Sequence, residues 1–552
     1  MKRALSIAFL FVVAAVSIGA QQAVTSLRIQ NAAKEPHNWL TYSGNYNGNR
    51  HSTLSQITPA NVKGLGLQWV FQVRTLGGGD KFEASPVVVD GVMYTVSPPN
   101  DVVALDAVTG RQFWRYNHNV AQTARVCCGR VNRGVAILGN RVFMGTIDGR
   151  VIALNAKTGA VDWNVAIDRP EAGYAITVSP LVVKDKLILG PAGGEYGIRG
   201  YVIALDPETG KELWRFNTIP APGEPGSDTW PAGTDAWRRG GGPIWTTGTY
   251  DPELNLTYWG VGNPGPDWNG DSRPGDNLYT ESVIALDPDT GQLKWHYQFT
   301  PHDEFDYDAT QVPVLADIQF QGQARKVLMT ANRNGVFYVL DRTNGQFLQA
   351  TPFVKVNWVN GWDPKTGRPN KVLHPTPEGT LVMPNNQGAT NWYSPSFSPR
   401  TGFFYIPTWA DTSSTYRKTP GADSVRYTEG QQFTGTFPTM AVPALVAGAT
   451  NVRMPRDGYG SIQAVDPKTG KQVWEFKMAD VTDSGVLTTA TDLVFAGGRE
   501  GYFFALDAKT GALLWKSMTG GQVASGPISY AVNGKQYIAV SAGNNLFVYG
   551  LP

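Results

Sequence analysis

Residues 204–214 read Ala-Leu-Asp-Pro-Glu-Thr-Gly-Lys-Glu-Leu-Trp, and closely similar stretches recur along the chain. Each has a short apolar segment ending in Asp or Asn, a Thr-Gly turn, and a position four residues after the glycine that is Trp in every clear copy. The Asp accepts turn amides, the Gly adopts positive φ, and the Trp anchors the next strand. The clear copies span residues 104–114, 153–163, 204–214, 285–295, 464–474 and 505–515, and a weaker copy, which lacks the Trp and ends at Leu348, spans 339–348.

Two further short strands precede each copy, as at residues 86–96 around the Asp90-Gly91 turn. Four antiparallel strands in a period of about 40–50 residues are typical of a propeller blade. The segment 65–73, which contains Trp69, and the C-terminal segments within 526–551 supply strands for one more blade. We therefore predict an all-β, eight-bladed β-propeller with tryptophan docking motifs. It is a single domain over 21–552, with the N- and C-terminal strands closing one blade.

The N-terminus predicts export. Lys2 and Arg3 precede an apolar run over residues 4–19 that ends in small residues. The run is shorter than the roughly 20 residues of a membrane-spanning helix, and its pattern is typical of a secretory signal peptide. We expect residues 1–20 to be removed by cleavage near Ala20. The mature protein would then be soluble, without a membrane span, and outside the cytoplasm. An N-terminal membrane anchor is the alternative.

Composition narrows the class of protein further. The chain has 62 glycines and 17 tryptophans, and only 17% of its residues are charged, which favours strands over helices. A formal net charge of +2, with lysines and arginines dispersed, excludes the electrostatic footprint of a nucleic-acid-binding protein. Two intervals, 214–295 and 348–474, exceed the repeat length, and such insertions commonly form the binding face. Within the second, residues 410–454 are predicted to be an irregular surface loop, either a lid or padding.

The chain contains only two cysteines, and they are the neighbours Cys127 and Cys128. In an exported protein, adjacent thiols are expected to bond to each other. Sequence neighbours have Cα atoms about 3.8 Å apart, whereas disulfides usually span about 4.4–6.8 Å, so we expect a strained backbone. Such strain clusters at functional sites. The alternative is a pair of buried thiols that act as small apolar side chains.

Oxygen-bearing side chains occupy three unusual settings. Glu195 lies in Gly-Gly-Glu-Tyr-Gly, Asn263 in Gly-Val-Gly-Asn-Pro, and Asp306 and Asp308 in the acidic run 303–308. Repulsion makes that run costly unless a cation or a proton compensates for it, although each acidic segment alone also fits a solvated loop. Carboxylate and amide oxygens suit a hard cation such as calcium rather than zinc. If the run is extended, alternation places Asp306 and Asp308 on the same side.

These motifs resemble those of the methanol and ethanol dehydrogenases that depend on pyrroloquinoline quinone (PQQ). The resemblance extends from about residue 39 to the C-terminus and rests on five motifs. They are Cys127-Cys128 with Val131-Asn132-Arg133-Gly134, Gly194-Glu195 with Arg199-Gly200, Gly262-Asn263-Pro264, Arg273-Pro274-Gly275-Asp276-Asn277, and the segment 302–308. The family's fold is an eight-bladed propeller. The resemblance implies that PQQ lies in the central channel, between a ring formed by the adjacent cysteines and the indole of Trp245.

The resemblance also implies roles for individual residues. Asp306 corresponds to the catalytic base. The implied cofactor contacts are Glu83, Cys127, Cys128, Arg133, Thr177, Gly193, Gly194, Trp245, Arg333 and Asn391, and the implied metal ligands are Glu195, Asn263, Asp306 and Asp308. Ala192 and Pro243 depart from the family, which has hydroxyl residues there, so we expect some cofactor hydrogen bonds to be missing or replaced.

The function implied by the resemblance is periplasmic oxidation of primary alcohols to aldehydes, by metal-assisted hydride transfer to PQQ. The chain has no Cys-x-x-Cys-His haem motif, so a separate soluble cytochrome c is the implied electron acceptor. Asp308 favours a lanthanide(III) ion over Ca²⁺, because this position is acidic in lanthanide-dependent members. The alternatives are a PQQ dehydrogenase of sugars or polyols and a non-catalytic propeller scaffold. A homodimer is one alternative for the assembly.

Overall fold

The computed structural model describes residues 23–74, 80–419, 421, 425–435, 439–440 and 458–552. The predicted signal peptide, residues 1–20, lies outside these ranges. Within these ranges there are eight antiparallel sheets of four strands, one of which gains a fifth, two-residue strand in parallel. The prediction of an all-β, eight-bladed propeller is therefore confirmed.

Few elements precede the blades. They are α1 (Ser26–Gln30), β1 (His51–Ser52) and β2 (Gly66–Gln72). Single-turn 3₁₀ helices lie in loops at Ala32–Lys34, Val62–Gly64, Pro170–Ala172, Gly194–Tyr196, Ser227–Thr229, Ala236–Arg239 and Gly270–Ser272. Within the described part of the chain, no helix is long and apolar enough to cross a membrane.

The first five blades each use four consecutive strands. They are blade 1 with β3 (Val87–Val89), β4 (Val92–Ser97), β5 (Asp101–Asp106) and β6 (Gln112–Tyr116); blade 2 with β7 (Ala136–Leu138), β8 (Arg141–Gly145), β9 (Arg150–Asn155) and β10 (Val161–Ala166); blade 3 with β11 (Leu181–Val183), β12 (Lys186–Leu189), β13 (Tyr201–Leu205) and β14 (Glu212–Asn217); blade 4 with β15 (Thr249–Asp251), β16 (Leu256–Gly260), β17 (Ser282–Leu286) and β18 (Leu293–Gln298); and blade 5 with β19 (Val314–Phe320), β20 (Gln323–Ala331), β21 (Val336–Asp341) and β22 (Phe347–Pro352).

The remaining strands form three blades and two small sheets. They are the pair β23 (Val359–Trp362) and β24 (Pro369–Lys371); the sheet of β25 (Thr380–Val382), β28 (Ser414–Tyr416) and β29 (Thr439–Met440); blade 6 with β26 (Ser396–Phe397), β27 (Phe404–Ala410), β30 (Tyr459–Val465) and β31 (Gln472–Met478); blade 7 with β32 (Leu487–Thr489), β33 (Leu493–Gly497), β34 (Tyr502–Asp507) and β35 (Leu513–Met518); and blade 8 with β36 (Ile528–Val532), β37 (Lys535–Ala542) and β38 (Asn545–Gly550) beside β2.

Blade 8 contains strands from both ends of the described chain. Strand β2 pairs antiparallel with β38, and Trp69 lies opposite Val548. The pairing leaves no gap between the last blade and the first, because Trp69 Nε1 donates to the Ala107 carbonyl of blade 1 at 3.3 Å. A closed ring of this kind protects the sheet edges.

At six of the junctions between described blades, a tryptophan of one blade packs on a turn glycine of the next. Trp214, in blade 3, donates from Nε1 to the Pro288 carbonyl at 2.9 Å, and its ring covers Gly291 in the turn of blade 4. A Cβ atom at Gly291 would lie 2.5 Å from that ring, and Gly291 has φ +74°, so the motif needs glycine at this position. The same tryptophan–glycine contact occurs for Trp69 and Gly110, Trp114 and Gly159, Trp163 and Gly210, Trp295 and Gly345, and Trp474 and Gly511.

The long second insertion is partly ordered as sheet. Ser414–Tyr416 pairs with Thr380–Val382, and Thr439–Met440 pairs with Ser414–Tyr416. The expectation of an irregular loop over residues 410–454 is therefore wrong for these two strands, because they find partners elsewhere in the insertion. Much of that stretch lies outside the described residues.

Candidate active site

The predicted site is assembled from loops at one end of the channel. First strands of blades are largely buried, as in Val87–Val89, whereas fourth strands such as Gln112–Tyr116 are partly exposed, so the first strands lie nearest the propeller axis. Loops that lead into first strands therefore converge on the channel. Cys127 and Cys128 lie before blade 2, Trp245 before blade 4, and Asp306 before blade 5.

These loops enclose a cavity of about 170 Å³. Most of the predicted site residues line it, namely Glu83, Cys127, Cys128, Arg133, Thr177, Gly193, Glu195, Trp245, Asp306, Asp308, Arg333 and Asn391. Gly194 and Asn263 do not line the cavity but touch each other behind its wall, where a Cβ atom at Gly194 would lie 2.1 Å from Asn263 Oδ1. The sequence therefore predicted most of the residues that meet at this cavity. The role of each individual residue remains a prediction.

Cys127 and Cys128 form a disulfide between neighbouring residues, with Cα atoms 3.8 Å apart. Both residues are exposed towards the cavity that they line, so the alternative of two buried thiols is wrong. Cys128 Sγ lies 3.6 Å from Glu195 Oε1. The disulfide therefore borders the carboxylate that was predicted to bind the metal.

Arg133 forms a charged wall of the cavity. Its Nη1 donates to Thr177 Oγ1 at 2.9 Å and to the Trp245 carbonyl at 3.1 Å, and its Nη2 lies 3.0 Å from Glu83 Oε2. Its guanidinium carbon lies 4.7 Å from the Trp245 ring centroid and 5.4 Å from that of Trp392. Burial raises the pKa of Glu83, although Arg133 opposes this. Arg133 therefore holds the indole, the hydroxyl and the carboxylate in one arrangement.

Arg333 joins the carboxylates of Asp306 and Asp308. Its Nη2 donates to Asp306 Oδ2 at 2.8 Å, its Nη1 donates to Asp308 Oδ2, and its Nε donates to the Asn386 carbonyl at 3.0 Å. Among the described residues, Asp306 Oδ1 is buried and has no hydrogen-bond partner. The segment 303–308 is not a strand and Asp306 has φ +61°, so the expected alternation is wrong. The shared guanidinium, rather than a pleat, brings the two carboxylates together.

The other two acids of the run have partners of their own. Asp303 accepts the backbone amides of Phe305 at 3.2 Å and Tyr307 at 3.1 Å. Glu304 accepts hydrogen bonds from Lys371 Nζ at 3.0 Å and from His374 Nδ1 at 2.6 Å. Only Asp306 and Asp308 of the run line the cavity. The repulsion expected from the sequence is therefore relieved in part. Asp303 is satisfied by a turn and Glu304 by an ion pair, and only Asp306 and Asp308 bring their charge to the cavity.

The electrostatics of the cavity favour a bound cation. Glu195 is partly exposed at the wall, and desolvation, followed by the Asp308 carboxylate, raises its pKa to about 7. Burial also raises the pKa of Asp306 well above its usual value, against the attraction of Arg333. A metal ion would stabilise the ionised forms of both carboxylates.

Several cavity residues were not predicted. Lys81 and Arg125 line the cavity, and Lys81 Nζ donates to Asp483 at 2.8 Å. Trp392 also lines it, although the sequence had marked only its neighbour Asn391. None of these positions lies in a motif whose spacing indicates a function. Ala192 and Pro243, which lack hydroxyl groups, are also part of the lining.

Comparison with known proteins gives consistent matches over nearly the whole chain. The model of a family described as "PQQ: Glucose/ethanol/alcohol dehydrogenase, beta-propeller domain" matches residues 39–360 and 366–538. Quinohemoprotein alcohol dehydrogenase ADH IIB of Pseudomonas putida is 40% identical, over 98% of this chain and 79% of its own. Quinoprotein alcohol dehydrogenase PedH of Pseudomonas putida KT2440 is 38% identical, over 95% of this chain and 89% of its own.

Solved structures show the same similarity. Quinohemoprotein alcohol dehydrogenase ADHIIG of Pseudomonas putida superposes with a TM-score of 0.89 at 37% identity, covering 96% of this chain and 82% of that chain. A europium-containing methanol dehydrogenase superposes with a TM-score of 0.86 at 32% identity, covering 95% of this chain and 100% of that chain.

Proposed function

The chain belongs to the family of PQQ-dependent alcohol dehydrogenases, and we propose that it oxidises primary alcohols to aldehydes with PQQ and a metal ion bound in the cavity. The observation that carries the proposal is the buried Oδ1 of Asp306. Asp306 lines the cavity, its Oδ1 lacks a hydrogen-bond partner among the described residues, and Arg333 holds the other oxygen of the same carboxylate.

The lining suits this cofactor. PQQ is a flat quinone that carries carboxylates, and the disulfide and the indole of Trp245 offer two rigid apolar surfaces to such a ring system. Arg133 supplies a cation beside that indole for a carboxylate of the cofactor. Ala192 and Pro243 supply no hydroxyl, so the polar contacts of the cofactor fall to Arg133, Thr177 and other donors of the lining.

Asp306 is the proposed general base. Its Oδ1 accepts the proton of the substrate hydroxyl, and the hydrogen bond from Arg333 to Oδ2 fixes the direction in which Oδ1 points. Burial raises the pKa of Asp306, which favours its uptake of a proton. When bound, PQQ supplies the two-electron acceptor and the metal ion supplies a Lewis acid.

Glu195, Asn263, Asp306 and Asp308 would hold the metal, and we propose a lanthanide(III) ion in preference to Ca²⁺. Asp308 is 3% exposed and lines the cavity, where three of these residues are carboxylates and Arg333 is the cation that joins two of them. A trivalent ion compensates for this negative charge better than a divalent one. The similarity to a europium-containing methanol dehydrogenase supports the same choice.

The proposal extends to the surroundings of the enzyme. We propose that a soluble cytochrome c takes the electrons and that the enzyme acts in the periplasm after cleavage of residues 1–20. A small alcohol is the proposed substrate, and a homodimer is one alternative for the assembly. The reduction of a purified cytochrome c in the presence of enzyme, PQQ and ethanol tests the choice of acceptor.

An activity assay with an artificial electron acceptor tests the proposed reaction. Purified protein is loaded with PQQ and either lanthanum or calcium, and then supplied with methanol, ethanol, butanol, glycerol or glucose. We expect oxidation of primary alcohols that requires added PQQ and is faster with lanthanum. Greater activity with glucose or glycerol would favour the sugar or polyol alternative, and activity without PQQ would contradict the proposal.

The variant Asp306→Asn isolates the proposed base. Asparagine keeps an oxygen that can accept the hydrogen bond from Arg333, but it takes no proton from an alcohol. We expect kcat to fall by at least about 100-fold, the low end of the contribution of a general base. The absorption spectrum of bound PQQ should persist, which would separate loss of chemistry from loss of cofactor.

A further inference from the structure

Arg125 is a cation of the cavity wall that the proposed reaction does not use. It lies two residues before Cys127, is exposed, and lines the cavity together with the disulfide. Among the described residues, no carboxylate lies within ion-pair distance of Arg125, and none accepts a hydrogen bond from its side chain. A guanidinium matches the planar geometry of a carboxylate, so an unpaired one in a cavity is suited to an anionic ligand.

The other cations of the lining already have anionic partners. They are the pairs of Arg133 with Glu83, of Lys81 with Asp483, and of Arg333 with Asp306 and Asp308. Within the described part of the chain, Arg125 is therefore the one cation of the lining whose charge no carboxylate of the protein neutralises. An anion that enters the cavity can bind to Arg125 without breaking an existing ion pair.

The backbone that carries Arg125 is held in place on both sides of the disulfide. The N–H of Arg125 donates to the Pro170 carbonyl at 3.2 Å, and the N–H of Arg130 donates to Asp80 Oδ1 at 3.0 Å. A side chain on an anchored backbone loses less conformational freedom when it binds a ligand. Arg125 is thus placed at the cavity before any ligand enters.

The lining also lacks two polar groups that an anionic ligand could use. Ala192 and Pro243 line the cavity at positions where the resemblance implied hydroxyl residues. Arg125, in the same lining, offers several N–H donors in a planar fork. It can therefore replace donors that these two positions do not provide.

We propose that Arg125 binds a carboxylate of the small molecule that occupies the cavity. The inference rests on the proposed function, because the two sources of such a carboxylate are PQQ and the alcohol that is oxidised. If the source is PQQ, Arg125 anchors the cofactor. If the source is the substrate, Arg125 selects alcohols that also carry a carboxylate, such as ω-hydroxy acids. Either contact is a charge-assisted hydrogen bond.

A titration with PQQ tests the cofactor as the source. Metal-loaded, cofactor-free protein is titrated and followed by absorbance, in the wild type, in Arg125→Gln and in the control Arg130→Gln. Arg130 is an exposed arginine of the same loop, also without a carboxylate partner among the described residues, but it does not line the cavity. If PQQ is the source, we expect Arg125→Gln to weaken PQQ binding at least about fivefold. The control should change it less than about twofold.

A pair of substrates tests the alcohol as the source. With PQQ at saturation, kcat/KM is measured for ω-hydroxyhexanoate and for hexanol, which differ in the carboxylate. If the substrate is the source, the ratio of the first value to the second should fall at least about fivefold in Arg125→Gln and less than about twofold in Arg130→Gln. Arg125→Lys keeps the charge without the planar fork, so it should retain part of either effect.

The outcomes separate the alternatives. Weaker PQQ binding or a lower substrate ratio, in Arg125→Gln only, would support the proposal and identify the source of the carboxylate. No change in either measurement, an equal change in Arg130→Gln, or a defect confined to the reduction of cytochrome c would overturn it. A wild type that binds no PQQ and oxidises no alcohol would instead overturn the proposed function, so the two failures are distinguishable.

Discussion

The backbone N–H of Asn263 donates to Asp308 Oδ1 across 2.8 Å. This bond connects the end of blade 4's second strand to the loop before blade 5, so two proposed metal ligands are fixed to each other before any cation binds. Arg333 holds the remaining oxygen of Asp308. Each carboxylate oxygen retains a second lone pair, which leaves Asp308 able to bind a metal ion.

Replacement of Asp308 should therefore change the choice of metal. For Asp308→Ala we expect kcat/KM with lanthanum to fall at least about tenfold, and the value with calcium to fall less, because a trivalent ion depends more strongly on the lost charge. Parallel assays with both ions measure this. Asp308→Asn keeps an oxygen to accept the Asn263 amide and should change selectivity in the same direction. Equal losses with both ions would mean that Asp308 mainly maintains the shape of the site.

Removal of Arg333 should destabilise the metal-free protein. Arg333→Met would leave the buried carboxylates of Asp306 and Asp308 without their guanidinium partner. Loss of one partner of a buried ion pair typically lowers the free energy of unfolding by about 3–5 kcal/mol. Denaturant titration of the metal-free protein measures the loss, and Arg333→Lys should recover part of it. No loss in the methionine variant would show that the ion pairs with Arg333 do not stabilise the fold.

Metal binding should depend on pH through Glu195. Its pKa is raised from 4.5 to about 7 by desolvation and by Asp308, so the metal-free protein holds a proton there below about pH 7. A metal ion must displace this proton. Through Glu195, the apparent affinity should therefore fall by up to about tenfold for each pH unit below 7, and the raised pKa of Asp306 adds to this dependence. Titrations across that range test this, and Glu195→Gln should make the dependence less steep.

The raised pKa of Glu195 also makes the stability of the fold depend on pH. Because the folded-state pKa of Glu195 is raised, ionisation of the folded chain is unfavourable, and the metal-free protein should lose stability as the pH rises from 4.5 to about 7. Bound metal should reverse this trend, because the ionised carboxylate is then the stabilised form. Unfolding temperatures with and without metal across this range check the sign.

The fold was predictable because one short motif recurs along the chain. Apart from Trp69, each tryptophan that covers a glycine lies in one copy of the motif and the glycine lies in the next copy, so the pattern that forms a blade also predicts how neighbouring blades pack. The strands Ser414–Tyr416 and Thr439–Met440 were not predictable in this way. Their partners lie far apart in an insertion without a repeat, and only tertiary contacts select that pairing.

The residues of the site were predictable, but the hydrogen bonds and ion pairs between them were not. The resemblance placed Asp306 and Asp308 at the cavity, yet the charge run alone gave no sign that Glu304 would turn away to pair with Lys371. The bridge from Arg333 to both aspartates depends on side chains from different loops.

The contact between the tryptophan and the glycine predicts that one added methyl group strongly lowers the stability of the fold. In Gly291→Ala, the new Cβ atom would lie 2.5 Å from the Trp214 ring, at a position with φ +74°. Gly223→Ala is the matched control, since Gly223 has φ +88° but a Cβ atom there would have no neighbour within 4 Å. In both variants, backbone strain should lower the free energy of unfolding by about 1 kcal/mol. Only Gly291→Ala should lose a further amount of about 1–3 kcal/mol, because only there does the new Cβ atom overpack its surroundings. Thermal unfolding of the two variants measures the difference, and equal losses would show that the ring moves aside freely.

The disulfide should support the cofactor rather than the fold. A disulfide stabilises a protein mainly through the loop that it closes, and Cys127 and Cys128 have no residue between them. The double variant Cys127→Ser/Cys128→Ser should therefore change the free energy of unfolding by less than about 1 kcal/mol. Loss of the rigid surface beside Glu195 should still lower kcat/KM by at least about tenfold, through weaker PQQ binding or slower electron transfer.

Two measurements separate these contributions in the serine variant. Titration with PQQ, followed by absorbance, reports on cofactor affinity, and the rate at saturating PQQ reports on the electron-transfer step. Treatment of the cofactor-free wild-type protein with a reductant, which is removed before PQQ is added, should reproduce the kinetic defect without a substitution, because it opens the same bond. Full activity in the serine variant at limiting PQQ would show that the disulfide is dispensable, and that Trp245 and Arg133 suffice to position the cofactor.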